Sequence, residues 1–221
     1  MKQVKISLRK AVTMLGMFTF VMLLIPSLQS CKKDSVSPGP LAGSNFRTFD
    51  DAMHQLWADH MQYTYMTVDA FFNNSAALNS QLNRLLKNQE DIGAAIVPYY
   101  GQAAGDQLTT LLKGHINGAV PVLTAAKNND QAALNTAVAN WRANAQQIAD
   151  FLSAANPNNW DQTHMRMHMD DHITKTITYS VDLLQKNYTQ ASVDYDAAFN
   201  DMMHFASTLS EGIANQYPAK F

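Results

Sequence analysis

Apolar side chains beyond residue 45 recur every three or four positions, which is the period of an α-helix rather than a strand. The first two segments show it at Phe49, Met53, Leu56, Tyr63 and Phe71, and at Leu78, Leu82, Leu85, Ile92 and Ile96. These two segments span residues 46–73 and 75–97, and four more follow at 104–127, 131–154, 161–186 and 190–216. The pattern predicts an all-α domain of six helices over residues 46–221.

The odd-numbered predicted helices carry similar strings, each ending in a histidine. MHQLWADH ends at His60, LTTLLKGH at His115 and MRMHMDDH at His172, so the histidines follow one another at nearly equal steps. The even-numbered helices contain Asn88, Asn144 and Asn200, which are evenly spaced along the chain. This spacing predicts a threefold internal repeat of about 56 residues, and hence a six-helix bundle built from three antiparallel helical hairpins.

Each histidine continues the apolar stripe of its helix and is therefore expected to point into the core. The midpoint between each histidine and its asparagine falls where turn-forming residues cluster. In an antiparallel hairpin the two side chains would then lie at one height, about 14 residues or ~21 Å from the turn.

Two interpretations of these histidines remain open. If the three odd helices line a common axis, His60, His115 and His172 converge, and three imidazoles with an open position suit zinc, copper or iron. Asp91 could add a carboxylate, while Asn88, Asn144 and Asn200 would orient the rings. Alternatively, the histidines are only architectural, each paired with its asparagine in the core.

A second metal candidate lies in the string THMRMHMDDHITKT. His164 and His168 share a helical face with His172, and the methionines between them would favour copper. Against this, methionine at helical spacing is usually core, and Arg166 with Asp170 and Asp171 indicates a solvated face.

Residues 1–30 resemble an export signal, because a basic start is followed by an apolar run and small residues. The single cysteine of the chain, Cys31, ends the string LQSC, which resembles a bacterial lipobox. That resemblance implies acylation of Cys31, with residues 31–45 as a flexible tether rich in Pro, Gly and Ser. We therefore expect a membrane partner through the lipid anchor, in the cell envelope and most simply at the outer membrane.

Charge and composition exclude several function classes. Removing the four basic residues of the signal from 16 leaves 12 against 18 acidic residues, a formal charge of −6 that argues against nucleic acid. With Cys31 acylated no thiol remains for catalysis. The chain also lacks the Glu-x-x-His pairs of di-iron bundles, a phosphate-binding loop, a Gly-x-Ser-x-Gly elbow and a CxxCH haem motif.

Several strings together resemble an uncharacterised family of small all-helical bacterial proteins. They are LWADH, RLLKNQEDIGAAIVPYYG, LTTLLKGHI, WRANAQQIADFL, NPNNW and GIANQYP. The resemblance implies that His60, Asn88, Gln89, Asp91, His115 and His172 belong to a shared pattern, and it adds Gln89 to the residues beside the site. Many members lack a lipoprotein signal, and the family has no settled activity.

The functional expectation is accordingly a non-catalytic binding module with a histidine-rich core site that could hold a transition metal. The alternative is a structural or partner-binding lipoprotein. An enzyme is less favoured because the site offers bases but no obvious nucleophile, and the small ligand or protein partner is not indicated.

Overall fold

The computed structural model describes residues 39–221, and the backbone there is almost entirely helical. The helices are α1 (Ser44–Asn73), α2 (Ser75–Tyr100), α3 (Gln102–Lys127), α4 (Gln131–Ala155), α5 (Gln162–Leu184) and α6 (Tyr188–Gln216). One-turn 3-10 helices at Pro40–Ala42 and Pro218–Lys220 flank them. The prediction of an all-α, six-helix domain is confirmed. The predicted signal and the acylated Cys31 lie outside the described residues.

The six helices form a closed ring. Each helix packs against the next along the chain, and α6 packs back against α1. Short connections make neighbouring helices antiparallel, so that each consecutive pair is a helical hairpin. The odd-numbered helices also contact one another, which places α1, α3 and α5 around the axis of the ring.

Several helix boundaries differ from the sequence prediction by one to three residues. Helix α2 was expected to end before Pro98 but continues to Tyr100. A proline in the last turn removes only one intrahelical hydrogen bond, and the helix ends instead at Gly101, whose φ of +84° favours glycine. Helix α1 begins at Ser44, slightly earlier than predicted, and the Pro40–Ala42 turn packs against α1 and α6.

The half of the bundle nearest the start of α1 is densely packed. Its core includes Met53, Ile92, Ile148, Trp160 and Ile213, none more than 1% exposed. A void among these side chains measures only about 10 Å³, which is about the limit for one water molecule. This half is therefore expected to supply most of the hydrophobic stabilisation.

The C-terminal residue closes this end of the bundle. The ring of Phe221 stacks on Tyr99 with centroids 5.6 Å apart, and it contacts Phe49 at 5.2 Å. A Cβ added to Gly43 would lie 2.8 Å from the carbonyl oxygen of Phe221. Both ends of the described chain therefore meet at one end of the bundle. No helix within residues 39–221 has the length and apolar character needed to cross a membrane.

Helices α2 and α3 approach each other closely at two glycines. A Cβ at Gly93 would lie 2.7 Å from the carbonyl oxygen of Gly105, and a Cβ at Gly105 would lie 2.8 Å from that of Gly93. Because both clashes involve backbone atoms, no change of rotamer relieves them.

We therefore expect Gly105→Ala to reduce the free energy of unfolding by about 1–3 kcal/mol through overpacking. Chemical denaturation with urea measures this change. Gly39→Ala is the control, because a Cβ there has no neighbour within 4 Å. Equal stability of the two variants would contradict the close crossing.

Candidate functional site

The structure brings the three predicted core histidines together. His60 on α1, His115 on α3 and His172 on α5 are only 3–4% exposed. The ring centroid of His172 lies 5.7 Å from that of His60 and 5.8 Å from that of His115. The three rings form one layer across the core, with His172 in contact with both others, and we call them the imidazole layer.

The asparagine predicted to face His115 does so. Oδ1 of Asn144 lies 3.0 Å from Nδ1 of His115, and Nδ2 of Asn144 donates to the Leu111 carbonyl at 3.2 Å. This second bond fixes the amide so that its oxygen faces the ring, and Nδ1 of His115 must therefore carry the proton. Nε2 of His115 then holds a lone pair, and it is buried without a protein partner.

His60 pairs with Gln89 rather than with the expected Asn88. Nε2 of Gln89 lies 3.2 Å from Nδ1 of His60 and also donates to the Leu85 carbonyl at 2.9 Å. The longer glutamine side chain reaches the ring, whereas Asn88 donates to the Leu56 carbonyl at 2.9 Å. Because Nδ1 of His60 accepts, its Nε2 carries the proton in the neutral ring.

His172 has no asparagine partner, contrary to the expectation for Asn200. Asn200 is exposed on the outside of the ring, because the inward positions of α6 are taken by Met202 and Phe205. Nδ1 of His172 is buried and has no hydrogen-bond partner in the protein. In the first two hairpins the asparagine bonds the carbonyl four residues before the histidine, and the third hairpin lacks this contact.

Asp91 lies outside the imidazole layer. Its carboxylate is on the surface, 2.5 Å from the Lys87 ammonium and 3.8 Å from the Arg84 guanidinium. A metal site at the layer would therefore have no carboxylate from this residue.

The secondary metal candidates do not join the layer either. The His164 side chain is 76% exposed at the start of α5, and the His168 ring packs on Phe205 with centroids 5.8 Å apart. Of the methionines, Met165 and Met169 are core residues, at 1% and 4% exposure. Within residues 39–221 no cluster of three or more His, Cys, Asp or Glu side chains has an arrangement that would hold a metal ion.

Burial keeps all three rings uncharged at neutral pH. Desolvation, reinforced by His115, lowers the pKa of His60 to about 3, despite the hydrogen bond from Gln89. Desolvation also lowers the pKa of His115 to about 4 and holds the pKa of His172 well below its ordinary value, where His60 and His115 add to the effect. The layer is therefore polar but carries no charge.

A cavity of about 160 Å³ lies on the hairpin-turn side of the imidazole layer. Helices α1 to α5 supply its walls, which are mainly Val68, Phe71, Leu82, Leu85, Leu123 and Ile177. The described residues that line it include no Asp, Glu, Lys or Arg. It reaches the surface near Val120 and Val181, which are 39% and 37% exposed.

Four hydroxyl groups also line the cavity, and three of them are already bonded to backbone carbonyls one helical turn earlier. These three belong to Thr64, Thr67 and Ser180. The fourth, Oγ1 of Thr176, is buried without a hydrogen-bond partner in the protein. Three residues of the cavity floor, His115, His172 and Thr176, thus each have one unpaired polar atom.

The Tyr179 hydroxyl lies close to Thr176 without pairing with it. Burial raises the pKa of Tyr179, and the nearby Thr176 hydroxyl partly opposes that rise. Neither hydroxyl makes a hydrogen bond of normal geometry, and both are buried.

The cavity was not predicted from the sequence, although one signal points to it. Thr64, Ala119 and Thr176 each follow a layer histidine by four positions. Residues at this spacing lie on the same helical face, so three small side chains lie directly beside the rings on the turn side. Larger residues there would fill the space.

A second polar cluster, also not predicted, joins α1 to α6. Oγ of Ser207 lies 3.0 Å from Nε2 of His54, whose Nδ1 lies 3.4 Å from a carboxylate oxygen of Asp50. Ser210 donates to the same carboxylate. The arrangement of Ser207, His54 and Asp50 resembles a Ser–His–Asp triad. The backbone N–H groups around Ser207 are bonded within α6, however, and cannot stabilise an oxyanion. We interpret this cluster as a polar cross-link between the first and last helices.

Comparisons with known proteins give no match. No family model matches the chain, and neither a curated protein nor a solved structure does so. The resemblance to an uncharacterised helical family therefore stays a prediction.

The lowered pKa values predict a loss of stability in mild acid. An unfolded histidine has a pKa near 6.5, so below that pH the unfolded chain binds protons that the buried rings do not accept. The free energy of unfolding should be unaffected by these rings above pH ~6.5 and should fall between pH ~6.5 and the folded pKa values. The slope is about 1.4 kcal/mol per pH unit for each fully titrating ring.

Urea unfolding at pH 7.5, 6, 5.5 and 5 measures this slope. His172→Leu should reduce the slope by about 1.4 kcal/mol per pH unit, the contribution of one fully titrating ring. A slope of His172→Leu equal to that of the parent chain would contradict the burial of an uncharged ring.

The two asparagines at equivalent positions should differ sharply in importance. Asn144→Ala leaves the buried Nδ1–H of His115 unpaired, which should cost about 1–3 kcal/mol of stability. Asn200→Ala removes an exposed side chain and should change stability by less than about 0.5 kcal/mol. Thermal unfolding of both variants tests this difference.

Proposed function

We propose that the chain is a non-catalytic binding module whose site is the imidazole layer together with the adjoining cavity. The observation that carries the proposal is a cavity of about 160 Å³ left open in the core beside three buried imidazoles. Native interiors are close-packed, and an unfilled cavity costs stability. A cavity lined almost entirely by apolar atoms therefore favours an apolar ligand supplied from outside the chain.

The low basicity of the rings supports a binding role over a catalytic one. A general base is most effective when its pKa lies near the working pH. His60 and His115, with pKa values of about 3 and 4, are poor proton acceptors at neutral pH.

A transition metal, zinc, copper or iron, is one candidate ligand. For imidazoles bound to one ion at about 2.1 Å, the ring centroids would lie about 5 Å apart, which is close to the observed 5.7 and 5.8 Å. The lone pair of His115 Nε2 is available. His60 has no free lone pair to offer, because its Nδ1 accepts from Gln89 and its Nε2 carries the proton. This layer therefore favours two imidazole ligands over three.

The alternative is a structural or partner-binding protein whose histidines are architectural. The His60–Gln89 and His115–Asn144 hydrogen bonds support it, because both would fix the register of a hairpin. That alternative does not explain why the adjoining space is left unfilled.

We further propose that the module is held in the cell envelope by a lipid on Cys31, with the membrane as its partner. The string LQSC after an apolar run supports this, as does the placement there of the only cysteine. The net negative charge argues against nucleic acid as a partner.

Thermal melts of the full-length chain with Zn²⁺, Cu²⁺ or benzene test the binding function. A ligand at 100 times its Kd adds about 2.7 kcal/mol to stability, which is a rise of roughly 5–10 °C in Tm for a domain of this size. We expect at least one of the three to give such a rise.

Matched variants locate the binding. Ala119→Phe should abolish a benzene shift by filling the cavity, whereas Ala143→Phe, at an exposed position on α4, should retain it. His172→Leu should abolish a metal shift, and His164→Leu should not. Unchanged Tm values with all three additions would support the architectural alternative.

A further inference from the structure

We infer that the ligand of this cavity is an unbranched aliphatic tail, which lies along the bundle axis while its polar head stays in water at the mouth. The inference rests on the proposed binding function and names the class of its ligand. It is carried by the length over which the helices line the cavity, by the apolar surface of the cavity and by the position of its mouth.

The cavity is long and narrow. On α1 its lining extends from His60 to Phe72, and on α5 it extends from His172 to Leu184. Each of these stretches covers about 18 Å of its helix at a rise of ~1.5 Å per residue. A sphere of about 160 Å³ would span little more than one helical turn of ~5.4 Å. The same volume spread over about three turns fits a chain better than a ring.

Small side chains keep the space open over successive helical turns. Thr176 and Ser180 follow His172 on α5, and Ala119 and Ala126 lie on α3, and all of them line the cavity. Residues four or seven positions apart lie on one face of a helix. The free space therefore continues along the axis instead of ending in a chamber beside the imidazole layer.

The surface that faces this space is formed almost entirely by apolar atoms. Thr64, Thr67 and Ser180 line it, but their hydroxyl groups bond backbone carbonyls one turn earlier, so these side chains offer carbon atoms to the cavity. The described residues of the lining include no Asp, Glu, Lys or Arg. A charged or hydrogen-bonding group inside would lack a partner, which is costly. The buried part of the ligand is therefore hydrocarbon.

The mouth lies away from the imidazole layer. The layer histidines line one end of the cavity and are only 3–4% exposed, so this end is closed. Val120 and Val181, at the mouth, are 39% and 37% exposed. They follow the layer histidines of their own helices by about 8 and 14 Å. A tail that enters here can extend toward the layer while its head remains in water.

The volume limits the buried tail to a few methylene groups. A cavity of about 150 Å³ in another protein accepts benzene with its six carbon atoms, so this cavity of about 160 Å³ holds roughly six to eight. Such a tail can belong to a free amphiphile or to a membrane lipid, because the site recognises the tail and not the head.

A series of 1-alkanols of four to ten carbons tests the length of the buried tail. Titration calorimetry of the full-length chain at pH 7.5 measures each affinity. We expect the affinity to rise about fourfold per methylene group up to roughly eight carbons and then to level off, since further groups remain outside. A rise that continues unchanged to ten carbons indicates adsorption on the outer surface and overturns the inference.

Two probes of equal carbon number separate a chain from a ring. Both 1-heptanol and cyclohexylmethanol carry one hydroxyl and seven carbon atoms. We expect 1-heptanol to bind at least tenfold more tightly, because the ring is too wide for a space spread over three turns. Equal or tighter binding of cyclohexylmethanol overturns the aliphatic tail but leaves a binding cavity in place. This comparison uses the parent chain and does not depend on the folding of a variant.

Octanoyl lysophosphatidylcholine distinguishes the two sources of the tail, because it carries eight carbons on a large charged head. Tighter binding than that of 1-octanol assigns the tail to a membrane lipid, and similar or weaker binding assigns it to a free amphiphile. Both results support a head in water. No measurable binding of this lipid overturns that placement.

Matched variants locate the tail. Ala119→Phe fills the cavity one turn from the layer, so it should weaken 1-octanol at least tenfold while leaving 1-butanol within about twofold. Ala143→Phe, at an exposed position on α4, should keep the chain-length dependence of the parent. Ala119→Phe with the parent's affinity for 1-octanol would place the tail elsewhere and overturn the inference. Since each variant is compared across two ligands, a loss of folded protein cannot imitate the result.

The remaining outcomes distinguish the aliphatic tail from the binding function itself. Binding of Zn²⁺ or Cu²⁺ with none of the organic probes overturns the aliphatic tail in favour of a metal site. No binding of any probe or ion overturns both.

Discussion

The removal of three imidazoles from water is the constraint on which the core depends. A buried imidazole is stable only when uncharged, and an uncharged ring has one nitrogen that donates and one that accepts. The amides of Gln89 and Asn144 select which nitrogen does which in His60 and His115. The result is a polar layer with fixed hydrogen-bond directions and no charge, placed between two halves of the core that are built differently.

The two halves of the core differ in packing density. On one side of the layer Met53, Trp160 and their neighbours pack with almost no free volume. On the other side Thr64, Ala119 and Thr176 leave space that larger residues would occupy. A cavity costs stability because its walls lose packing contacts. The closed ring of helices and the dense half offset that cost, and this allows the hollow half to keep its shape.

The features that depend on local sequence were predictable. The helical period indicated six helices, and the near-equal spacing of His60, His115 and His172 brought them to one level, because short turns fix the register of each hairpin. Features that depend on side-chain reach or on helix rotation were not predictable. Gln89 rather than Asn88 is the partner of His60 because its side chain is one methylene group longer. Asn200 and Asp91 point outward because of the way their helices are rotated within the ring. The cavity is a difference between packed volumes, which no single position reveals.

Gly43 and Phe221, near the two ends of the described residues, lie together and give the bundle two distinct poles. Helix α1, which runs from one pole to the other, is about 45 Å long at a rise of ~1.5 Å per residue. Gly43 and Phe221 lie at one pole, and the cavity reaches the surface around Val120 and Val181, toward the other. If the proposed lipid on Cys31 holds the chain, the opening lies at the pole farther from Gly43. The proposed small ligand would then enter and leave at that pole.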